Sequence, residues 1–150
     1  MSLELKINDD IKQAMLARDA ERLEALRAIK AALLLEKAKE GGSGEVDDAT
    51  ELKILQKLVK QRRESADIYT QANRQDLAKK EIFDASIIET YLPQQLSEAD
   101  VTVIIRKIVA ETGATSVKDM GKVMGAAAKE LAGKADNKMI SAIVKALLGA

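Results

Sequence analysis

Proline occurs once in this chain, at Pro93, inside "YLPQQLSE". Proline breaks helices because it lacks an N–H and its ring clashes with the preceding turn. A chain without it on either side of a single point can run as helices, interrupted only by caps and glycines. Alternating β-branched residues are nearly absent as well. The expected class is all-α. A four-helix, bundle-like N-terminal domain is expected over residues 1–93, and a small three-helix tail domain over 94–150.

Apolar spacing gives the helices. Leu3, Ile7, Ile11, Ala14 and Met15 share one helical face. Asp19 can cap a second helix burying Leu23, Leu26, Ile29, Leu33 and Leu34, which stops at "GGSG", residues 41–44. That tetrapeptide is expected to be an interhelical linker. Asp48 with Glu51 predicts a capping box opening a third helix to about Asn73. A fourth is expected from Asp76 to Tyr91, ended by the constraint that Pro93 places on Leu92.

Ser97 and Asp100 make an S-x-x-D start, with Leu96 and Val101 placed as a hydrophobic staple. That helix carries Ile104, Ile105, Ile108 and Val109 to Gly113. Ser116 and Asp119 repeat the signature, and Asp136 is placed to start a last helix.

Composition narrows the chemistry. There is no Cys and no His, so disulfides, Cys/His zinc sites, thiol nucleophiles and histidine acid–base devices are excluded. Adjacent acids such as Asp9-Asp10 and Asp47-Asp48 diverge on a helix, and no metal or other cofactor is expected. Aromatics are only Tyr69, Phe83 and Tyr91, which removes stacking platforms for single-stranded nucleic acid. No apolar run reaches the ~18 residues of a membrane span. The expected location is cytoplasmic, with no membrane partner. Lys+Arg and Asp+Glu balance at 24 each, yet residues 112–150 hold 6 basic against 3 acidic groups.

Those lysines surround "DMGKVMGAAAKELAGKAD", residues 119–136. A phosphate-binding P-loop needs G-x-x-x-x-G-K-[ST] after a strand, and neither spacing nor context is met. At about 100° per residue, Met120, Val123, Met124, Ala127 and Leu131 form a buried stripe. Gly121 and Gly125 lie on the flank beside Lys118, Lys122 and Lys129. Each glycine costs a helix about 1 kcal/mol relative to alanine, so two of them require a reason. Either a neighbouring helix packs closely over them, or a nucleic-acid backbone approaches there while lysines meet its phosphates. Gly133, Lys134 and Lys138 follow at the helix's far end.

"DMGKVMG", "GKAD", "YLPQQLSE" and "KQRRESADIYTQANRQDLA" together resemble the bacterial YqeY family, over essentially the whole chain. The C-terminal part of that family is related to the tail of the B subunit of glutamyl-/aspartyl-tRNA amidotransferase. The resemblance implies a helical domain followed by a tRNA-engaging tail, or a protein partner in the translation machinery. It also links the chain by descent to carbon–nitrogen ligases with glutamine as amide donor. No catalytic residue is expected, because no nucleophile–base pair or ATP loop accompanies the motifs. Matched by motif, the tail positions are Asp119, Met120, Gly121, Lys122, Met124, Gly125, Gly133, Lys134 and Asp136. Leu131-Ala132 depart from the basic or lysine-glycine lead usual before this loop.

In the N-terminal part, Lys53, Lys57, Lys60 and Arg63 share an outer, solvated face. Arg62 falls instead among Leu55, Leu58 and Tyr69, and Lys30, with Arg27 beside it, interrupts the Leu26–Leu33 face. These three cations are expected either to form interhelical ion pairs or to line a recognition pocket. The competing functions are a non-catalytic tRNA-associated module, a helical protein-interaction adaptor and, implied only by the resemblance, carbon–nitrogen ligase activity with glutamine as amide donor.

Overall fold

The computed structural model describes residues 2–39, 41 and 46–149. Gly42, Ser43 and Gly44 of the expected linker lie outside the described residues. Residues 1–92 and 93–150 form two compact units, and the described residues contain helices and no strands.

The first unit comprises α1 (Leu3–Leu16), α2 (Ala20–Lys39), α3 (Asp48–Gln71) and α4 (Gln75–Glu89). Ser2 caps α1, its hydroxyl accepting from Leu5 N–H. Asp19 caps α2 as its side chain predicts, accepting from Arg22 N–H at 3.1 Å. The cap of α3 is Asp47 rather than Asp48: its carboxylate accepts from Thr50 N–H at 2.7 Å. Either aspartate can cap in principle, but only Asp47 keeps the extended backbone of a cap (φ −71°, ψ 161°). At the start of α4, Arg74 occupies the cap position without capping and instead grips Asp76.

Two turns are left-handed at non-glycine residues, Arg18 (φ 55°) and Asn73 (φ 58°). Both close Schellman motifs. Asp19 N–H reaches Ala14 O at 3.0 Å after α1, and Arg74 N–H reaches Tyr69 O at 2.8 Å after α3. Asparagine tolerates this geometry; arginine bears its steric cost. Arg18→Gly is therefore expected to stabilise this unit by about 0.5–1 kcal/mol, read as a raised denaturant midpoint with unchanged slope.

Ile7, Leu26, Ile29, Leu55 and Ile88 are the fully buried centre of the unit, one or more from each helix. Each such side chain contributes roughly 1.5–3 kcal/mol by leaving water. Tyr91, just past α4, donates its hydroxyl to Asp10 on α1, and Lys6 Nζ sits 5.5 Å from its ring centroid. Burial, then Asp10, pushes the Tyr91 hydroxyl far above its ordinary pKa, so it stays a donor.

The second unit holds α5 (Glu98–Thr112), a 3₁₀ turn (Val117–Asp119), α6 (Met120–Glu130) and α7 (Asn137–Leu147). Ser97 caps α5 through Asp100 N–H, with Glu98 and Asp100 in the first turn to match the helix dipole. Gly113 ends it at φ 69°. Asp136 caps α7 through Lys138 N–H at 2.9 Å. The core is a separate one, built on Val101, Ile105, Val123, Ala127, Leu131, Ile140 and Val144.

Candidate nucleic-acid interface

The second S-x-x-D element does not open α6 directly. Ser116 caps the 3₁₀ turn, and Asp119 Oδ2 turns back to accept from Thr115 N–H at 3.0 Å. Lys118 therefore lies on that turn, so a single α-helical wheel does not fix its direction. α6 itself follows the expected pattern. Val123, Ala127 and, at its end, Leu131 are buried, while Met120 and Met124 pack against the same core.

Gly121 and Gly125 are on the exposed side of α6. A Cβ added at either would meet nothing within 4 Å. Close packing of a neighbouring helix over them, one of the two expectations, is thus not found among the described residues. Lys129 and Lys122 continue this exposed side, and Lys118 and Lys138 are exposed too. None of these lysines forms an ion pair among the described residues. Lys122 is not wholly free: its ammonium donates to Thr112 O at 3.3 Å, neutralising the carbonyl end of α5.

The "GKAD" loop is fastened to "YLPQQLSE" within the same unit. Gln95 Nε2 donates to Gly133 O at 2.6 Å and to Pro93 O at 2.9 Å, and Leu96 N–H donates to Lys134 O at 2.9 Å. Gly133 is buried and left-handed at φ 73°, so it is required by the turn. Lys134 is half-buried and held by its backbone at both N–H and C=O. Gln95 was not singled out by sequence, because its partner is distant along the chain. The motif residues thus divide: Asp119, Gly133 and Asp136 shape backbone, Met120 and Met124 pack against the core, Gly121, Gly125 and Lys122 are exposed, and Lys134 is half-buried in the loop. Asp119 and Asp136 accept from backbone N–H groups and pair with no lysine side chain among the described residues, so they lower the basic excess of the tail without screening any one lysine directly.

The other three candidates lie in the first unit. Arg62 Nη1 on α3 is 3.3 Å from Glu81 and 3.8 Å from Asp84, both on α4. Asp84 is the buried charged residue of the described core, at 2% exposure. Burial pushes its carboxyl above the ordinary 3.8, and the Arg62 guanidinium pulls it back. Lys80 pairs with Glu24 at 2.8 Å alongside, and Arg63 pairs with Glu89. Arg27 is exposed and Lys30 half-buried, and neither forms an ion pair among the described residues.

These features define an all-helical protein with a small tail whose outward helix face combines open glycines with unpaired lysines. The chain belongs to the YqeY family, whose model, described as "Yqey-like protein", matches residues 4–148. Among curated proteins it is similar to "Altered inheritance of mitochondria protein 41, mitochondrial" of Vanderwaltozyma polyspora. The identity is 30% over 123 residues, covering 77% of this chain and 65% of that protein. The Meyerozyma guilliermondii protein of the same name is 37% identical over 83 residues, covering 55% of this chain and 42% of its own. That of Eremothecium gossypii is 35% identical over 88 residues, covering 57% and 46%. The matched segment thus spans about two-fifths to two-thirds of these relatives. Their names place them in mitochondria of fungi, whereas the sequence expectation for this chain is a bacterial-type, cytoplasmic protein. No helix among the described residues is long and apolar enough to cross a membrane.

Proposed function

We propose that this chain is a non-catalytic accessory module that holds folded RNA, tRNA foremost, on the outward face of α6. The observation that carries this is the open space over Gly121 and Gly125. Two helix-weakening residues over which nothing packs among the described residues leave a surface onto which a phosphate backbone can descend. Lys118, Lys122 and Lys129 then supply compact charges around it, with Lys138 at the start of α7. Recognition is by phosphate position and shape, because no aromatic lies beyond Tyr91. The resemblance of the tail to that of the tRNA amidotransferase B subunit agrees with this use.

The open face separates binding from stability in one variant. Gly121→Leu overpacks nothing, and leucine is the better helix former, by nearly 1 kcal/mol in a helix interior and by less here in the first turn of α6. The tail is expected to melt about 4–8 °C higher per kcal/mol gained. At the same time, bulk over the lysines lowers tRNA affinity at least tenfold, about 1.4 kcal/mol. Lys129→Gln lowers affinity about equally for different tRNAs and reduces the salt slope by about one unit. Fluorescence anisotropy with labelled tRNA across a salt series, beside thermal melts, measures both. Absence of tRNA binding by the parent at low salt, with RNase-insensitive capture of a protein by the parent but not by Gly121→Leu, would favour the adaptor function instead.

A further inference from the structure

The α1–α2 hairpin carries a second surface with a different character. Between the helices runs an open groove of about 550 Å³ lined by Asn8, Ile11, Lys12, Met15 and Leu16 of α1 and Lys30 of α2. Two of its apolar residues are unusually bare, Met15 at 56% and Leu16 at 71% exposure, and beyond the lining Leu34, one turn past Lys30 on α2, is 45% exposed. The charge of the lining itself is one-sided: it holds Lys12 and Lys30 and no carboxylate, and the acids near along the chain, such as Asp9, Asp10, Asp19 and Glu24, are outside it. Lys12, Arg27 and Lys30 form no ion pair among the described residues. Lys30 is half-buried on the groove wall, where an ammonium without a counter-charge is costly. Asn8 Oδ1, along the same groove, is buried with no donor. The fold therefore leaves polar and ionic demands here unmet.

From this we infer that the groove is a docking site for an amphipathic helix of a partner protein, its apolar side laid on Ile11, Met15 and Leu34 and its flank carrying Asp or Glu toward Lys12, Arg27 and Lys30. Helix-in-groove docking uses apolar anchors one turn apart, which Ile11 and Met15 offer, and flanking charges set the choice of partner. A carboxylate on a narrow helix can enter the groove and meet Lys30. A flat anionic bilayer reaches the exposed rim, Lys12 and Arg27, and leaves Lys30 unpaired. Complementary charge thus favours the acidic helix. This surface is independent of the α6 face and stands or falls separately from RNA binding.

The test uses the full chain and a fluorescein-labelled peptide of about 18 residues, long enough for helix, with Leu at i, i+3, i+4 and i+7 and Glu on its flanks. A second peptide replaces every Glu with Lys. The parent is expected to bind the Glu peptide and not the Lys peptide. Lys12→Glu/Lys30→Glu is expected to weaken the Glu peptide at least about tenfold and to gain the Lys peptide. Met15→Asp, at an exposed position, weakens both combinations while circular dichroism stays that of the parent. Binding of both peptides alike, or of neither, overturns the inference. So does binding of phosphatidylserine vesicles in place of the Glu peptide, which would make the surface a membrane contact. Self-association abolished by Met15→Asp, seen by sedimentation, would show that a second copy covers the groove and would equally overturn it.

Discussion

At neutral pH, Arg62→Ala is expected to destabilise the N-terminal unit by about 2–3 kcal/mol, somewhat below the ~3–5 kcal/mol of breaking a fully buried pair. The reduction follows from Arg62 itself, whose side chain is 30% exposed. Its partner sets the size of the effect. Asp84 is 2% exposed, and Glu81 and Glu24 stand nearby with the same charge. Without the guanidinium, a carboxylate is left buried among like charges. The pH dependence has a definite sign. Burial holds the native Asp84 carboxyl above its ordinary 3.8, so folded protein keeps a proton that the unfolded chain has released. Stability from this group is fully present below the ordinary value and declines as pH rises through the native one. Removing Arg62 raises the native value further. The deficit of the variant should therefore be widest near neutrality and narrow on acidification toward about pH 5. Adding Asp84→Asn removes the buried charge and should recover much of the loss. Urea melts of the three proteins at both pH values measure this. Parental stability for Arg62→Ala, with loss of a ligand, would instead make Arg62 a recognition residue.

The sequence made most of this fold legible because caps are local chemistry. Ser97, Asp19 and Asp136 lie within three residues of the N–H groups they accept from, so their spacing alone locates the helix starts. Asp47 and Asp48 show the limit: two adjacent candidates differ only in backbone conformation, which spacing does not report. Lys118 shows another. A wheel of one pitch carries it into α6, whereas a 3₁₀ turn intervenes where Ser116 caps early. The site was legible as composition, glycines and lysines on one flank, but not as environment. That Gly121 and Gly125 face open space, that Lys122 reaches Thr112 O, and that Gln95 holds Gly133 O are facts of tertiary approach. Lys12 and Lys30 show the same limit: the hairpin is nearly balanced in charge along the sequence, and only the fold brings these two lysines into one groove whose lining holds no carboxylate.

Gly133→Val is expected to have the greatest effect in the tail, a loss of about 2–3 kcal/mol. A left-handed residue costs about 1–2 kcal/mol without glycine, and a β-branched one more. Here the backbone has little freedom to yield. Gly133 is buried at φ 73°, its carbonyl is held by Gln95, and the next carbonyl is held by Leu96 N–H. Turning Gly133 to a right-handed conformation would pull Lys134 off Leu96 and draw Leu131 and Ala135 out of the core they fill. A unit as small as residues 93–150 has only about 3–5 kcal/mol in hand, so this loss brings it close to unfolding at physiological temperature. Gln95→Ala, which removes one anchor and keeps the turn, should cost nearer 1 kcal/mol. Amide hydrogen exchange separates this from a charge effect. In Gly133→Val, protection of α5, α6 and α7 amides should collapse together and tRNA binding should vanish with it. In Lys129→Gln, protection should match the parent while affinity falls. Parental protection in Gly133→Val would mean that the loop accepts a right-handed residue, and that its glycine serves the ligand rather than the turn.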